Sequence, residues 1–284
     1  MRSSIIGYLP NANLFAHSAA MISTFSGEND HYDEFKIGDW KTFVIRNASG
    51  ADNDGFVGGE AAPTRPTARG HMVPELNQWI ERHFRLDLLR LARVHSLGDG
   101  VLIPHRDFVE FEGDQIPWTR VHIPIQTNAE CLHGEEDCIF RMHEGEVWHF
   151  DATRLHSATN FGAQRRFNLC LDFDLADLPL TAIFQRPEEA ASERKPEIVE
   201  RPAVTKAFEA GLLGLSRIIE ARNYRTIVGL LSRVPFYRDA PLDQVFEWLL
   251  SICYESGNSA LYEKTAAFSR FLRDERVISE RFAL

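Results

Sequence analysis

Between residues 87 and 174 the chain lays down seven short runs in quick succession, at about 87–97, 101–111, 119–126, 138–142, 147–152, 155–160 and 166–174. Turn residues separate them, and within them polar and apolar side chains alternate. So many short alternating strands at close spacing predict a double-sheet β fold, a double-stranded β-helix or jelly roll. Their polar faces are unusual. In TRVHIPI, Arg120, His122 and Pro124 share one face, and Val121, Ile123 and Ile125 share the other. In RFNLCLDF, Arg166, Asn168, Cys170 and Asp172 oppose Phe167, Leu169, Leu171 and Phe173. In LLRLARVHS, Arg93 and His95 share a face with Leu89 and Leu91. If the apolar faces pack on helices or a second sheet, the polar faces line a cavity. Arginines inside it call for anionic ligands, because an unpaired buried guanidinium is costly. Pairing with Asp172, Glu110 or Glu112 is the alternative use for Arg93 and Arg120.

Around these strands the pattern is helical. SIIGYL reads as a strand, followed by a helix through Leu14, Met21 and Phe25, and DWKTFVIRN reads as another strand. Val73, Leu76, Ile80 and Phe84 recur at helical spacing around Pro74, which suits a helix start. The Gly-, Ala- and Pro-rich stretch between residues 47 and 70 is a loop. RPEEAASERKPEIVERPAV, with three prolines, reads as a linker. Beyond it, helices are expected at roughly 204–221, 223–234, 243–255 and 260–276. The expected organisation is mainly β: a jelly-roll domain with flanking helices at 1–180, a linker at 181–203 and a C-terminal all-α domain at 204–284. The apolar stripes of that last unit need a partner surface, as a cap or as a homodimer element.

Composition narrows the classes of function. A net charge of −10, with no run of Lys and Arg, argues against nucleic acid. No apolar stretch approaches the length of a membrane span, and MRSSIIGYLPN lacks a signal-peptide core. Four cysteines without Cys-x-x-Cys spacing suit reduced thiols in the cytoplasm.

The chemistry sits at His105-Arg106-Asp107, with His156 and Arg166 further on. Two imidazoles and one carboxylate on one face of a ferrous ion make the facial triad of non-haem iron oxygenases, which leaves three positions open. A 2-oxo acid can chelate two of them and O2 take the third. A guanidinium ten residues after the distal histidine can hold the far carboxylate of 2-oxoglutarate. The triplet alone is weak, because two others occur, at His31-Tyr32-Asp33 and His149-Phe150-Asp151. The His149–Asp151 pair has only His156 after it, five residues beyond Asp151, too near to approach from a separate strand. For His31 the spaced partner is His83, which the helical pattern places on an amphipathic helix. For the 105–107 pair, alternation along VLIPHRDFVEF puts His105 and Asp107 on one side. NFGAQ reads as the turn of a hairpin joining the strands that carry His156 and Arg166.

Over nearly its whole length the chain resembles the bacterial free L-proline hydroxylases. These are a branch of the aspartyl/asparaginyl β-hydroxylase-like family, here of the proline 3-hydroxylase type with its pipecolate-hydroxylating relatives. The likeness runs through MRSSIIG, YDEFKIGDWK, NASG, IPHRDFVE, TRVHIPI, FRMHEGEVWHFDATRLHSATNF, RRFNLCLDF, SERKP, EAGLLGLSRIIEARNYR and ISERF. The resemblance implies Fe(II) held by His105, Asp107 and His156, with 2-oxoglutarate and O2 as co-substrates. It implies Arg166 on the 2-oxoglutarate carboxylate, Arg93 and Arg120 facing substrate or co-substrate carboxylates, and assistance from His122 on the co-substrate side and His133 on the substrate side. Trp40, in the GDW element, reads as a core aromatic. The implied reaction hydroxylates a ring carbon of a free cyclic amino acid, at C3, with release of succinate and CO2. His95 replaces an arginine expected in its strand, and the 51–70 loop departs from the pattern, so L-proline and L-pipecolate both remain open. Two other readings stay open as well: hydroxylation of Asp or Asn side chains or another amino acid, and a cupin-like metal protein without oxygenase activity.

Overall fold

The computed structural model describes residues 1–9, 15–26, 30–55, 63–107, 118–190, 194–274, 276 and 280–284. In chain order the elements are β1 (Ser4–Tyr8), α1 (Phe15–Ser23), β2 (Lys36–Asn47), β3 (Arg65–Pro66), α2 (Ala68–His71), α3 (Pro74–His83), β4 (Leu89–Leu102), β5 (Trp118–Gln126), β6 (Cys131–Glu135), β7 (Cys138–Arg141), β8 (Glu146–His149), β9 (His156–Asn160), β10 (Arg166–Asp174), β11 (Glu197–Ile198), α4 (Lys206–Leu213), α5 (Tyr224–Arg233), α6 (Gln244–Glu255) and α7 (Ser259–Arg273).

The strands form one curled antiparallel sheet in the order β1-β8-β5-β10-β4-β9-β6-β7-β11, with β2 along the other edge of β4 and β3 beside β2. β4 is long enough to belong to both layers of the curl. Its Leu89–Leu97 stretch pairs with β10, and Gly100 and Val101 pair with β9. Chain neighbours therefore alternate between layers, which is the jelly-roll connection.

Alternation decides what each face meets. Val94, Val121, Ile123, Leu169, Leu171 and Phe173 join Ile22 of α1 and Leu76, Trp79 and Ile80 of α3 in the main apolar core. Val73, Leu76, Ile80 and Phe84 are all fully buried, as their helical spacing demands, and Pro74 opens α3. The opposite side chains of the same strands turn into the curl. Leu89 leaves that face, because a bulge in the β4–β10 register near Phe173 returns it to the apolar core.

Two expectations need correction. The strand drawn through 101–111 ends at Leu102, and residues 108–111 lie outside the described residues. Pro104 has no N–H to extend a ladder. His105 then rejoins the sheet through a single bridge, its N–H donating to His156 O at 3.0 Å and its carbonyl accepting from His156 N at 2.9 Å. Nor do β9 and β10 form a hairpin. Both run along the same edge of β4, so residues 161–165 make an interruption in one course, where the chain leaves β6 for β5.

The charged stretch expected as a linker is tied to the sheet edge and to the C-terminal helical unit. Glu197 and Ile198 pair with Arg141 and Phe140 of β7. Arg201 donates to the carbonyls of Asp137, Arg238 and Ala240. The C-terminal helices share a second core in which Leu231, Phe246, Ile252, Phe268 and Leu272 meet Phe35 and Ile103. They thereby back the segment that carries His105. Among the described residues, no helix is long and apolar enough to cross a membrane.

Candidate active site

The polar faces do converge. Arg93 and His95 from β4, Arg120 and His122 from β5, His133 from β6, His156 from β9 and Arg166 from β10 line one cavity, with His105 and Asp107 at its wall. Together with its open mouth it encloses about 630 Å³ of empty space. Every site residue expected from the sequence is there. Trp40, buried as its reading as a core aromatic requires, lines the cavity too; its ring stands edge-on to His95 at 5.4 Å. Phe35 and Phe150 were missed. They pack on the histidines, Phe35 at 5.0 Å from His105 and Phe150 at 5.1 Å from His156.

His105, Asp107 and His156 bring one ligand atom each to within 4.8 Å of one another. Asp107 Oδ1 lies 3.5 Å from His105 Nε2 and 4.0 Å from His156 Nε2. Backbone carbonyls set the tautomers. A carbonyl only accepts, so His105 Nδ1–H donates to Ile103 O at 2.7 Å and His156 Nδ1–H to Arg154 O at 2.9 Å. Both Nε2 lone pairs then face Asp107, which is the state a divalent metal needs. Burial lowers both imidazoles, His105 to about 3. Burial would raise the Asp107 carboxyl, but Arg120 and the two imidazoles outweigh it and hold the group well below the usual carboxylate range. A carboxylate and two neutral imidazoles, the three donors that cluster here among the described residues, fit ferrous iron with open positions. The decoy histidines lie elsewhere: His83 bonds Glu189 at 2.8 Å, and His149 sits on β8 without lining the cavity.

Arg166 is 2% exposed. Its NH1 donates to His133 Nε2 at 2.7 Å, so the His133 ring proton sits on Nδ1. Its Nε has no hydrogen-bond partner, and no carboxylate pairs with it among the described residues. Burial lowers its pKa. A buried cation without a counter-charge, facing a cavity, fits a dicarboxylate ligand. His133, expected on the substrate side, thus stands in direct contact with Arg166. His122 Nδ1 lies 2.6 Å from the Asn168 amide. Arg93 and Arg120 both reach Asp172, at 2.6 and 2.7 Å, as the alternative reading had it, although this pairing is buried.

His95, His105, His122, His133 and His156 are all held below the ordinary imidazole value, with burial the first cause each time. The fold therefore favours the neutral rings, while the unfolded chain takes up protons below about pH 6.5. Stability is full above that pH and declines as acid is added, by up to about 1.4 kcal/mol per ring per pH unit. The urea midpoint of the metal-free protein is expected to fall markedly between about pH 7.5 and about pH 5.5. A flat or rising midpoint would contradict the buried neutral cluster.

The comparisons agree with this geometry. The family model for aspartyl/asparaginyl beta-hydroxylase matches residues 13–175, and that for the C-terminal part of L-proline 3-hydroxylase matches residues 181–280. L-proline cis-3-hydroxylase 1 of Streptomyces sp is 34% identical over 288 residues, spanning 100% of this chain and 99% of that protein. L-proline cis-3-hydroxylase 2 of Streptomyces sp is 32% identical over the same shares. L-proline cis-4-hydroxylase of Rhizobium meliloti (strain 1021) is 34% identical over 86% of both chains. The chain belongs to the aspartyl/asparaginyl beta-hydroxylase family, in its L-proline hydroxylase branch. It is a non-haem dioxygenase that works with Fe(II), 2-oxoglutarate and O2.

Proposed function

We propose that this chain hydroxylates a free cyclic amino acid, L-proline first and L-pipecolate as its larger homologue, at C3 of the ring. The observation that carries the reading is one buried cavity with a three-donor metal cluster on one wall and guanidiniums on others. Such a pocket suits a small zwitterion held by its carboxylate. End-to-end similarity to two cis-3-hydroxylases supports C3.

Iron(II) with 2-oxoglutarate supplies the activation of O2, giving succinate and CO2. The chain's own work is placement. His105, Asp107 and His156 hold the metal on one side. Arg166, steadied by His133, holds the co-substrate's far carboxylate, with His122 beside it. Arg93 meets the amino acid's carboxylate, while Trp40, Phe35 and Phe150 exclude water and limit how the ring turns. One ring methylene is worth only about 1–3 kcal/mol in such a pocket, so proline and pipecolate are expected to overlap.

The test is a panel of free amino acids with Fe(II), ascorbate and 2-oxoglutarate, followed by succinate release and NMR of products. Succinate release is expected to rise with L-proline or L-pipecolate, and the product to carry hydroxyl at C3. Turnover equal with and without every cyclic amino acid defeats the substrate reading, and hydroxyl at C4 defeats the regiochemistry alone.

A further inference from the structure

The two oxygens of Asp107 have different neighbours. Oδ1 faces the imidazoles, 3.5 Å from His105 Nε2 and 4.0 Å from His156 Nε2. Oδ2 accepts a hydrogen bond from Arg120 NH1. Arg120 is in turn fixed from behind, its Nε donating to Asp172 Oδ1 at 2.7 Å. Asp172 is 2% exposed and stands directly opposite Arg120 in the β5–β10 register. Its other oxygen accepts from Arg93 NH2 at 2.6 Å. A planar guanidinium thus bridges a carboxylate rooted in the sheet to a carboxylate at the metal cluster, with donors in fixed directions.

We infer that Asp172 and Arg120 are positioning residues that keep Asp107 to a single metal-facing oxygen. The inference rests on the reading that His105, Asp107 and His156 hold iron. A carboxylate free to turn both oxygens to the metal would occupy one of the positions that 2-oxoglutarate and O2 require. Arg120 prevents this by engaging Oδ2. Asp172 does two things: it aims the fork, and it offsets a cation that otherwise stands beside a divalent ion. Arg120 therefore acts on the iron ligand, and Arg93, sharing the same anchor, is left to act on the amino acid.

The test uses Co(II) as a spectroscopic probe on the full-length protein, comparing wild type, His156→Ala, Asp172→Asn and Arg120→Lys. Each is titrated without co-substrate and followed by its visible ligand-field absorption. Wild type is expected to bind one equivalent, in a site lost in His156→Ala. Asp172→Asn and Arg120→Lys are expected to bind about 10–100-fold more weakly, the usual cost of losing an outer-sphere partner. Their absorption band is expected to shift as Asp107 changes its coordination, a change that a purely structural role would not produce. The double variant is expected to weaken binding little further, because the two residues act in one chain. If Asp172→Asn proves unfolded by circular dichroism, Arg120→Lys decides. Affinity within about twofold of wild type and an unchanged band in the folded variants overturn the inference and leave the triad standing. Wild-type binding that His156→Ala does not disturb overturns the triad itself.

Discussion

His156→Ala is expected to leave a folded protein that retains no iron and releases no succinate above background. The backbone bridge between His156 and His105 uses main-chain atoms only, so removing the imidazole leaves the jelly-roll course intact. What is lost is one of three donors in a cluster whose ligand atoms lie within 4.8 Å of one another. Two remaining donors do not make a closed binding face. The fall in affinity is therefore expected to exceed the roughly 10–100-fold cost of losing an outer-sphere partner. The truncated ring also packs against Phe150 at 5.1 Å, so a modest drop in unfolding temperature accompanies the loss. Metal content after gel filtration, with circular dichroism on the same sample, checks both parts. Wild-type iron content in a folded variant would refute the ligand assignment.

Arg166→Met is expected to separate stability from function. The guanidinium is 2% exposed, and among the described residues its Nε lacks a partner and NH1 meets only the neutral His133. Keeping such a charge buried without a counter-ion costs the fold several kcal/mol. A methionine of similar length removes that cost, so the metal-free variant is expected to be as stable as wild type or more so, by about 1–4 kcal/mol. Binding of 2-oxoglutarate moves the other way. Losing a buried charge partner costs about 2–5 kcal/mol, or at least about 30-fold in affinity at the lower end. Calorimetric titration of 2-oxoglutarate and thermal unfolding, run on the same preparations, test the two signs together. A destabilised variant that binds 2-oxoglutarate like wild type would show that Arg166 is a structural cation.

Much of this site is legible in the sequence because strand parity is a strong constraint. Once Val121, Ile123, Leu169 and Leu171 are assigned to a core, Arg120, His122 and Arg166 have nowhere to point but the other face. The same parity, applied to β2, places Trp40 opposite Phe43 and Ile45, which lie in the apolar core; the large ring hid a signal that was present. Pairing was harder. The Gly-containing run at 161–165 has the composition of a hairpin turn, yet its flanks share β4 as a common partner, and local composition carries no information about a third strand. Asp172 could be placed on the cavity face, but its contacts with two arginines depend on the registers of β10 with β5 and β4, bulges included. The contact of His133 with Arg166 was out of reach for the same reason: it depends on β6 pairing with β9, a register that the local sequence does not carry.

The central claim is that three side chains from separated stretches hold ferrous iron with room for a chelating 2-oxo acid. Anaerobic addition of Fe(II) and 2-oxoglutarate, followed by visible absorption, addresses it directly, because the chelate on such a centre gives a metal-to-ligand charge-transfer band. Wild-type protein is expected to develop that band, to change its shape when L-proline is added, and to lose it in His156→Ala. A wild-type solution that stays colourless with both components present would contradict the account.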